Sequence, residues 1–191
     1  MKKLNLILLA LIIIGMAACA KPPTDEMNRA HDAVIRAESD VNAVNYAGNS
    51  LVRARDALAR MESEAEAKRY DAAKNFAAEA ISAAEKAIAD GKTGADRAKD
   101  EAVNLLNSLP GPLAETSDAL SAAEQLHNIN LDFDRLFEDL DMANETYDSA
   151  RVSLAGNNYN DAINKGHSVR VVLGEINASL SEAVQAISRK Q

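Results

Sequence analysis

Apolar residues recur along most of this chain at alternating steps of three and four. Met27, Ala30, Val34, Ala37, Val41 and Val44 form one series, and Ala47, Leu51, Ala54, Leu58, Met61 and Ala65 a second. Tyr70, Ala73, Ala77, Ala80, Ala84 and Ala87 follow, then Phe133, Leu136, Leu140, Ala143, Tyr147, Ala150 and Leu154. The last runs Tyr159, Ala162, Gly166, Val169, Leu173, Ile176, Leu180, Ala183, Ile187. This spacing makes one apolar stripe on an α-helix and is the seam of helices lying side by side at a shallow angle. Period-two alternation is absent, so strands are not expected. The pattern predicts an all-α fold: an elongated antiparallel helical bundle of coiled-coil-like hairpins.

Breaks in the series are expected at Gly48-Asn49, where a kink and a full turn are both open, at the polar patch Glu66–Arg69, and at Gly91–Gly94. Another is expected at Gly156-Asn157-Asn158, with the glycine in the left-handed position that ends many helices. All four prolines lie at 22, 23, 110 and 112, which leaves 24–109 and 113–191 free to be helical. Thr24 is suited to cap the first helix, and Pro112 to open a later one. The expected division is therefore a leader over 1–18, a tether over 19–23, and helical units over 24–109 and 113–191.

The two halves also echo each other. Asp32-Ala33-Val34 with Ala37-Glu38 returns 86 positions on as Asp118-Ala119-Leu120 with Ala123-Glu124. The series that begins at Tyr70 returns 89 positions on, beginning at Tyr159. A period this long makes each unit a helical hairpin or a three-helix group. Duplication and the chance likeness of amphipathic helices both remain open.

Composition supports the helical reading. Of 191 residues 37 are Ala, the best helix former, against eight Gly and four Pro. Aromatic residues make up 4% and Trp is absent, which disfavours large aromatic ligand pockets. A net charge of −8 excludes nucleic acid as the expected partner, since binding it requires cationic groups that displace counterions.

The first residues read as an address. Lys2 and Lys3 precede the apolar run Leu4–Ile14, broken only by Asn5, and Met16-Ala17-Ala18-Cys19 closes it. The run is too short for a spanning helix and has the layout of a secretory signal. Met16-Ala17-Ala18-Cys19 resembles the lipobox of bacterial lipoproteins. That resemblance implies diacylglycerol on the Cys19 sulfur, cleavage before Cys19 and acylation of the new terminus. Cys19 is the sole cysteine, so no disulfide within the chain uses it. Ala20 follows it, which by resemblance to enterobacterial sorting implies the outer membrane, facing the periplasm.

Cys19, Pro22-Pro23, Tyr46-Ala47 with Leu51, Ala54 and Leu58, and Tyr70-x-x-Ala73 with Ala77 and Ala80 together resemble an uncharacterised family. Its members are alanine-rich envelope lipoproteins of Gram-negative bacteria and spirochaetes, known as a domain of unknown function. The resemblance covers roughly residues 19–90. Some relatives carry an OmpA-like, peptidoglycan-binding domain after the helical part. Residues 113–191 depart from these and continue as helix, so peptidoglycan attachment is not implied. The Tyr-x-x-Ala starts are also similar in packing to tetratricopeptide helices, but the long period differs from that of such arrays.

Candidate chemistry is sparse. His31, His127 and His167 are scattered, and Cys19 is assigned to lipid, so neither a metal nor another cofactor is expected. Asp132, Asp134, Glu138, Asp139 and Asp141 have no Gly at the sixth position or Glu at the twelfth of a calcium loop, and read as a solvated helix face. No nucleophile elbow or phosphate-binding loop is present. Tyr46, Tyr70, Tyr147 and Tyr159 are read as packing staples between helices, with a groove for a peptide or glycan as the other use.

The expected function is a lipid-anchored, non-enzymatic structural or interaction scaffold of the cell envelope. It would present acidic helix faces to an envelope protein, and its seams also suit self-association. The alternative is a periplasmic module binding a peptide, glycan or small ligand between the helical halves. A lipid-anchored hydrolase of cell wall or glycan is a third reading, which would need two converging carboxylates.

Overall fold

A computed structural model describes residues 21–126 and 129–188. The lipobox, with Cys19, and His127 lie outside them. Every regular element among the described residues is a helix: α1 (Thr24–Ser39), α2 (Val41–Tyr46), α3 (Gly48–Glu66), α4 (Tyr70–Asn107), α5 (Pro110–Glu124), α6 (Phe133–Ala155) and α7 (Tyr159–Ser188). The fold is an all-α helical bundle. The chain divides between Gly94 and Ala95 into two compact units, with α4 contributing to both. Pro110-Gly111-Pro112 opens α5 inside the second unit, with Pro110 as its first residue.

In the first unit α1, α2, α3 and the opening of α4 enclose a core made almost wholly of alanine. Ala30, Ala37, Ala54, Ala73, Ala80, Ala84 and Ala87 are fully buried, with Val34, Leu51 and Met61 among them. Alanine seams let backbones approach closely, and α2 takes this furthest. Gly91 and Gly94 do not break α4, contrary to the sequence expectation. They seat α2: a Cβ on Gly91 would lie 2.5 Å from the Ala43 amide nitrogen, and one on Gly94 2.5 Å from Tyr46 Cβ. The helix tolerates both glycines because only hydrogen fits there.

Val41 and Val44 are also corrected. They continue the α1 seam in sequence but stand 70% and 52% exposed. Asp40 leaves the helix (ψ 114°), and its carboxylate accepts the Ala43 N–H at 2.8 Å to cap α2. The restart rotates the stripe, so Ala43 and Ala47 face the core instead. Ala47 (φ −126°) then ends α2, which makes the step at Gly48 a true break. At the head of α1, Thr24 is already helical and caps nothing with its side chain; Pro23 precedes it.

The second unit keeps the same plan with larger core residues. Leu109, Leu120, Val169, Leu173 and Ile176 are buried among α4, α5, α6 and α7. Asn177 Nδ2 donates to the buried Thr116 Oγ1 at 3.0 Å, joining α7 to α5. Gly166 sits beneath Leu105 and Leu106 of α4.

The α3–α4 and α6–α7 hairpins coincide in register at a shift of 89. Ala47, Leu51, Ala54 and Met61 are buried, as are Leu136, Leu140, Ala143 and Ala150. Ala73, Ala77, Ala80, Ala84 and Ala87 correspond to Ala162, Gly166, Val169, Leu173 and Ile176, buried in both. The turns also agree. Arg69 N–H donates to Glu64 O at 2.8 Å across a left-handed Lys68 (φ 58°). Asn158 N–H donates to Ser153 O at 2.9 Å across a left-handed Asn157 (φ 61°). Both are Schellman closures. Asn157, not Gly156, takes the left-handed position, since Asn tolerates it through local hydrogen bonding.

Candidate interaction surface

Charge is divided unevenly between the units. Residues 1–94 hold 13 acidic and 13 basic residues, whereas residues 95–191 hold 16 and 8, so the net charge of −8 belongs to the second part. It concentrates further in 110–150, where ten carboxylates face one cation, Arg135.

Helix geometry arrays these charges. Asp134, Glu138, Asp141, Glu145 and Asp148 recur at steps of four and three and are all exposed, on the side of α6 away from the buried Leu136, Leu140 and Ala143. Asp132 lies outside this stripe and caps α6, its Oδ1 accepting the Arg135 N–H at 3.2 Å. Among the described residues, the one cation paired within the stripe is Arg151, with Asp148 at 3.6 Å. Exposed Met142 and Val152 interrupt the polar surface of the same helix. Like charges one turn apart repel by a few tenths of a kcal/mol each, so the stripe costs the free helix stability.

Two Ser–Asp–Lys networks join helices inside the units. In the first, Ser50 Oγ on α3 donates to Asp90 on α4 at 2.7 Å, and Lys86 Nζ donates to the same carboxylate at 2.9 Å. The Ser50 hydroxyl, then the Lys86 ammonium, hold Asp90 below the ordinary carboxylate range. In the second, Ser153 on α6 donates to Asp161 on α7 at 2.5 Å, and Lys165 Nζ reaches both, Asp161 at 2.6 Å and Ser153 at 2.9 Å. Lys165 first and Ser153 second lower the Asp161 pKa. A Ser beside a Lys suggests a nucleophile and base, but here the lysine donates to a depressed carboxylate. The serine hydroxyl also donates to that carboxylate, so its proton points at Asp161 and not at the lysine. The network is a staple at the hairpin turn.

The four tyrosines lie on four different helices, two in each unit. Tyr46 packs on Gly94, Tyr70 and Tyr159 open α4 and α7, and Tyr147 lies under the Arg151 guanidinium at 5.9 Å. Tyr159 Oη donates to Asn157 Oδ1 at 2.8 Å, tying it to the turn. All four are half-buried. His31 Nε2 lies 3.2 Å from Glu62, joining α1 to α3, and His167 is exposed on α7. Among the described residues no group of three or more His, Cys, Asp or Glu is placed to hold a metal ion, and no helix is long and apolar enough to cross a membrane.

The comparisons with known proteins fit this picture at one point. Residues 25–103 match the family model described as a domain of unknown function (DUF4398). The match spans the whole first unit from α1 onward and ends within α4. No curated protein and no solved structure matches the chain.

Sequence reasoning passed over Glu175 and Ser179, which line an open groove with Asp139. The available signal was their place in the repeat, 89 positions after Lys86 and Asp90.

Proposed function

We propose that this protein is a non-enzymatic interaction scaffold of the bacterial cell envelope, held by lipid on Cys19 at the outer membrane and facing the periplasm. The observation that carries the interaction reading is the outer face of α6, a file of five exposed carboxylates with little internal compensation. A helix that keeps such a face forfeits stability, and a basic partner recovers it as charge complementarity, chiefly in association rate and specificity. The anchoring reading rests on Met16-Ala17-Ala18-Cys19. Acyl chains contribute about 0.8 kcal/mol per buried methylene, and several of them hold a protein durably. An acidic chain gains nothing from anionic lipid, so attachment depends on them.

Two experiments address these parts separately. Metabolic labelling with an alkynyl fatty acid should mark the wild-type chain and not Cys19→Ser; equal labelling of both would remove the anchor. Crosslinking in intact cells through a photoreactive residue at Met142 should capture one dominant envelope protein. Links only between copies of this chain would replace the scaffold reading with self-association.

A further inference from the structure

We propose that the groove between the first turns of α6 and the middle of α7 docks a lysine side chain of a partner protein. The groove takes an ammonium that the first unit supplies for itself. This rests on the interaction reading above and names the chemistry its partner must bring.

The groove is open, about 210 Å3 in volume. Leu136 and Ile176, 8% and 1% exposed, form its apolar floor. Asp139 from α6 and Glu175 and Ser179 from α7 stand on its rim. The corresponding residues 89 positions earlier are Ser50, Lys86 and Asp90. Ser50 and Lys86 border a smaller groove of about 130 Å3, and both are bonded to Asp90. Ser50 and Lys86 both donate to Asp90, at 2.7 and 2.9 Å, and the three side chains together carry no net charge.

In the second unit serine and aspartate have changed places, and glutamate stands where the lysine was. The same three positions now carry two negative charges and no cation. The Glu175 carboxylate has no bonded partner among the described residues. The nearest cation, Arg135, reaches Asp139 only at 3.8 Å while about three-quarters exposed, and such a pair is readily exchanged.

An apolar floor beneath paired carboxylates matches the two ends of a lysine side chain, whose methylenes pack while its ammonium is bonded. Asp139 and Arg135 adjoin Glu138 and Asp134 of the outer face in sequence. A basic segment seated along that face therefore has the groove within reach of one side chain.

The test uses the full chain in detergent with fluorescent hexalysine as probe, read by anisotropy and by carbodiimide coupling located with mass spectrometry. Hexalysine should couple to Glu175 and Asp139, and its ε-acetylated form should not bind. Glu175→Lys should weaken binding at least about tenfold more than Glu182→Lys, an equal charge change at another exposed site of α7. Glu175→Ala should lower coupling at Asp139 too, independently of any new charge. Equal effects of the two lysine variants, with coupling confined to Asp141 and Glu145, would overturn the groove and leave the acidic face standing. Loss of neither coupling nor affinity in Asp141→Asn/Glu145→Gln would instead count against the face. Butylamine protecting Glu175 as well as hexalysine, at equal amine concentration, would make this a small-amine site and overturn docking of a protein.

Discussion

Replacing Gly91 with Ala is the sharpest test of the packing described here. In an open helix this change stabilises by about 1 kcal/mol, because Ala gives up less conformational entropy. At Gly91 the new Cβ would lie 2.5 Å from Ala43 N, 2.6 Å from Ala43 Cα and 2.6 Å from the Asn42 carbonyl carbon. These are backbone atoms, with no side-chain torsion to relieve them, so α2 must withdraw by about 1 Å to restore ordinary contact. Overpacking of this kind costs about 1–3 kcal/mol, and withdrawal also loosens Ala43, which is fully buried. The net expectation is a loss of about 1–2 kcal/mol. Gly174→Ala is the control, since nothing lies within 4 Å of its Cβ and it is exposed in the middle of α7. It should gain about 0.5–1 kcal/mol. The chain has no Trp, so urea unfolding is best followed by helical circular dichroism. The two midpoints should move in opposite directions from wild type. A Gly91→Ala protein stabilised as much as Gly174→Ala would show that α2 is not seated on α4 as described.

Three further outcomes follow from other sites. Met61→Ala removes the largest fully buried side chain of an otherwise alanine-rich core and should cost about 2–5 kcal/mol, measured by the same urea titration. Lys68→Gly frees a left-handed residue (φ 58°) and should raise stability by up to about 1 kcal/mol, whereas Asn157→Val at φ 61° should lower it by at least as much. Asp90 and Asp161 have pKa values below their ordinary 3.8 when folded, so their stabilisation is complete above that value and is lost as pH falls through the lower, folded ones. The melting temperature should therefore hold nearly constant from pH 7 to about pH 5 in this respect and fall below about pH 4; Asp90→Asn should remove part of that fall.

Much of this was legible in the sequence because helical packing leaves a periodic record. The series from Ala47, Tyr70, Phe133 and Tyr159 are buried or half-buried at every position named. The polar patch at Glu66–Arg69 and the Gly156 turn fall where helices end. The failures share one cause: local signals were read without their partners across the bundle. Gly91 and Gly94 resemble helix breakers until α2 is known to press on them. Val41 and Val44 continue a seam by spacing, yet one extended residue at Asp40 rotates the helix that follows. The acidic run in α6 was read correctly as a solvated face, but Asp139 leaves that face for the groove. Its neighbour there, Glu175, lies 36 residues away and becomes visible only through the α6–α7 pairing.

The outer face of α6 is the surface proposed to meet a basic partner in the envelope. Its most direct test is the in-cell crosslink at Met142, made in wild type and in Asp141→Lys/Glu145→Lys. Both replaced residues are exposed, so the fold should survive. The expected result is one dominant captured protein in wild type, lost when the two charges are reversed and intact when the same change is made at Glu62 and Glu66 of α3. Capture that persists unchanged through the reversal would contradict the account.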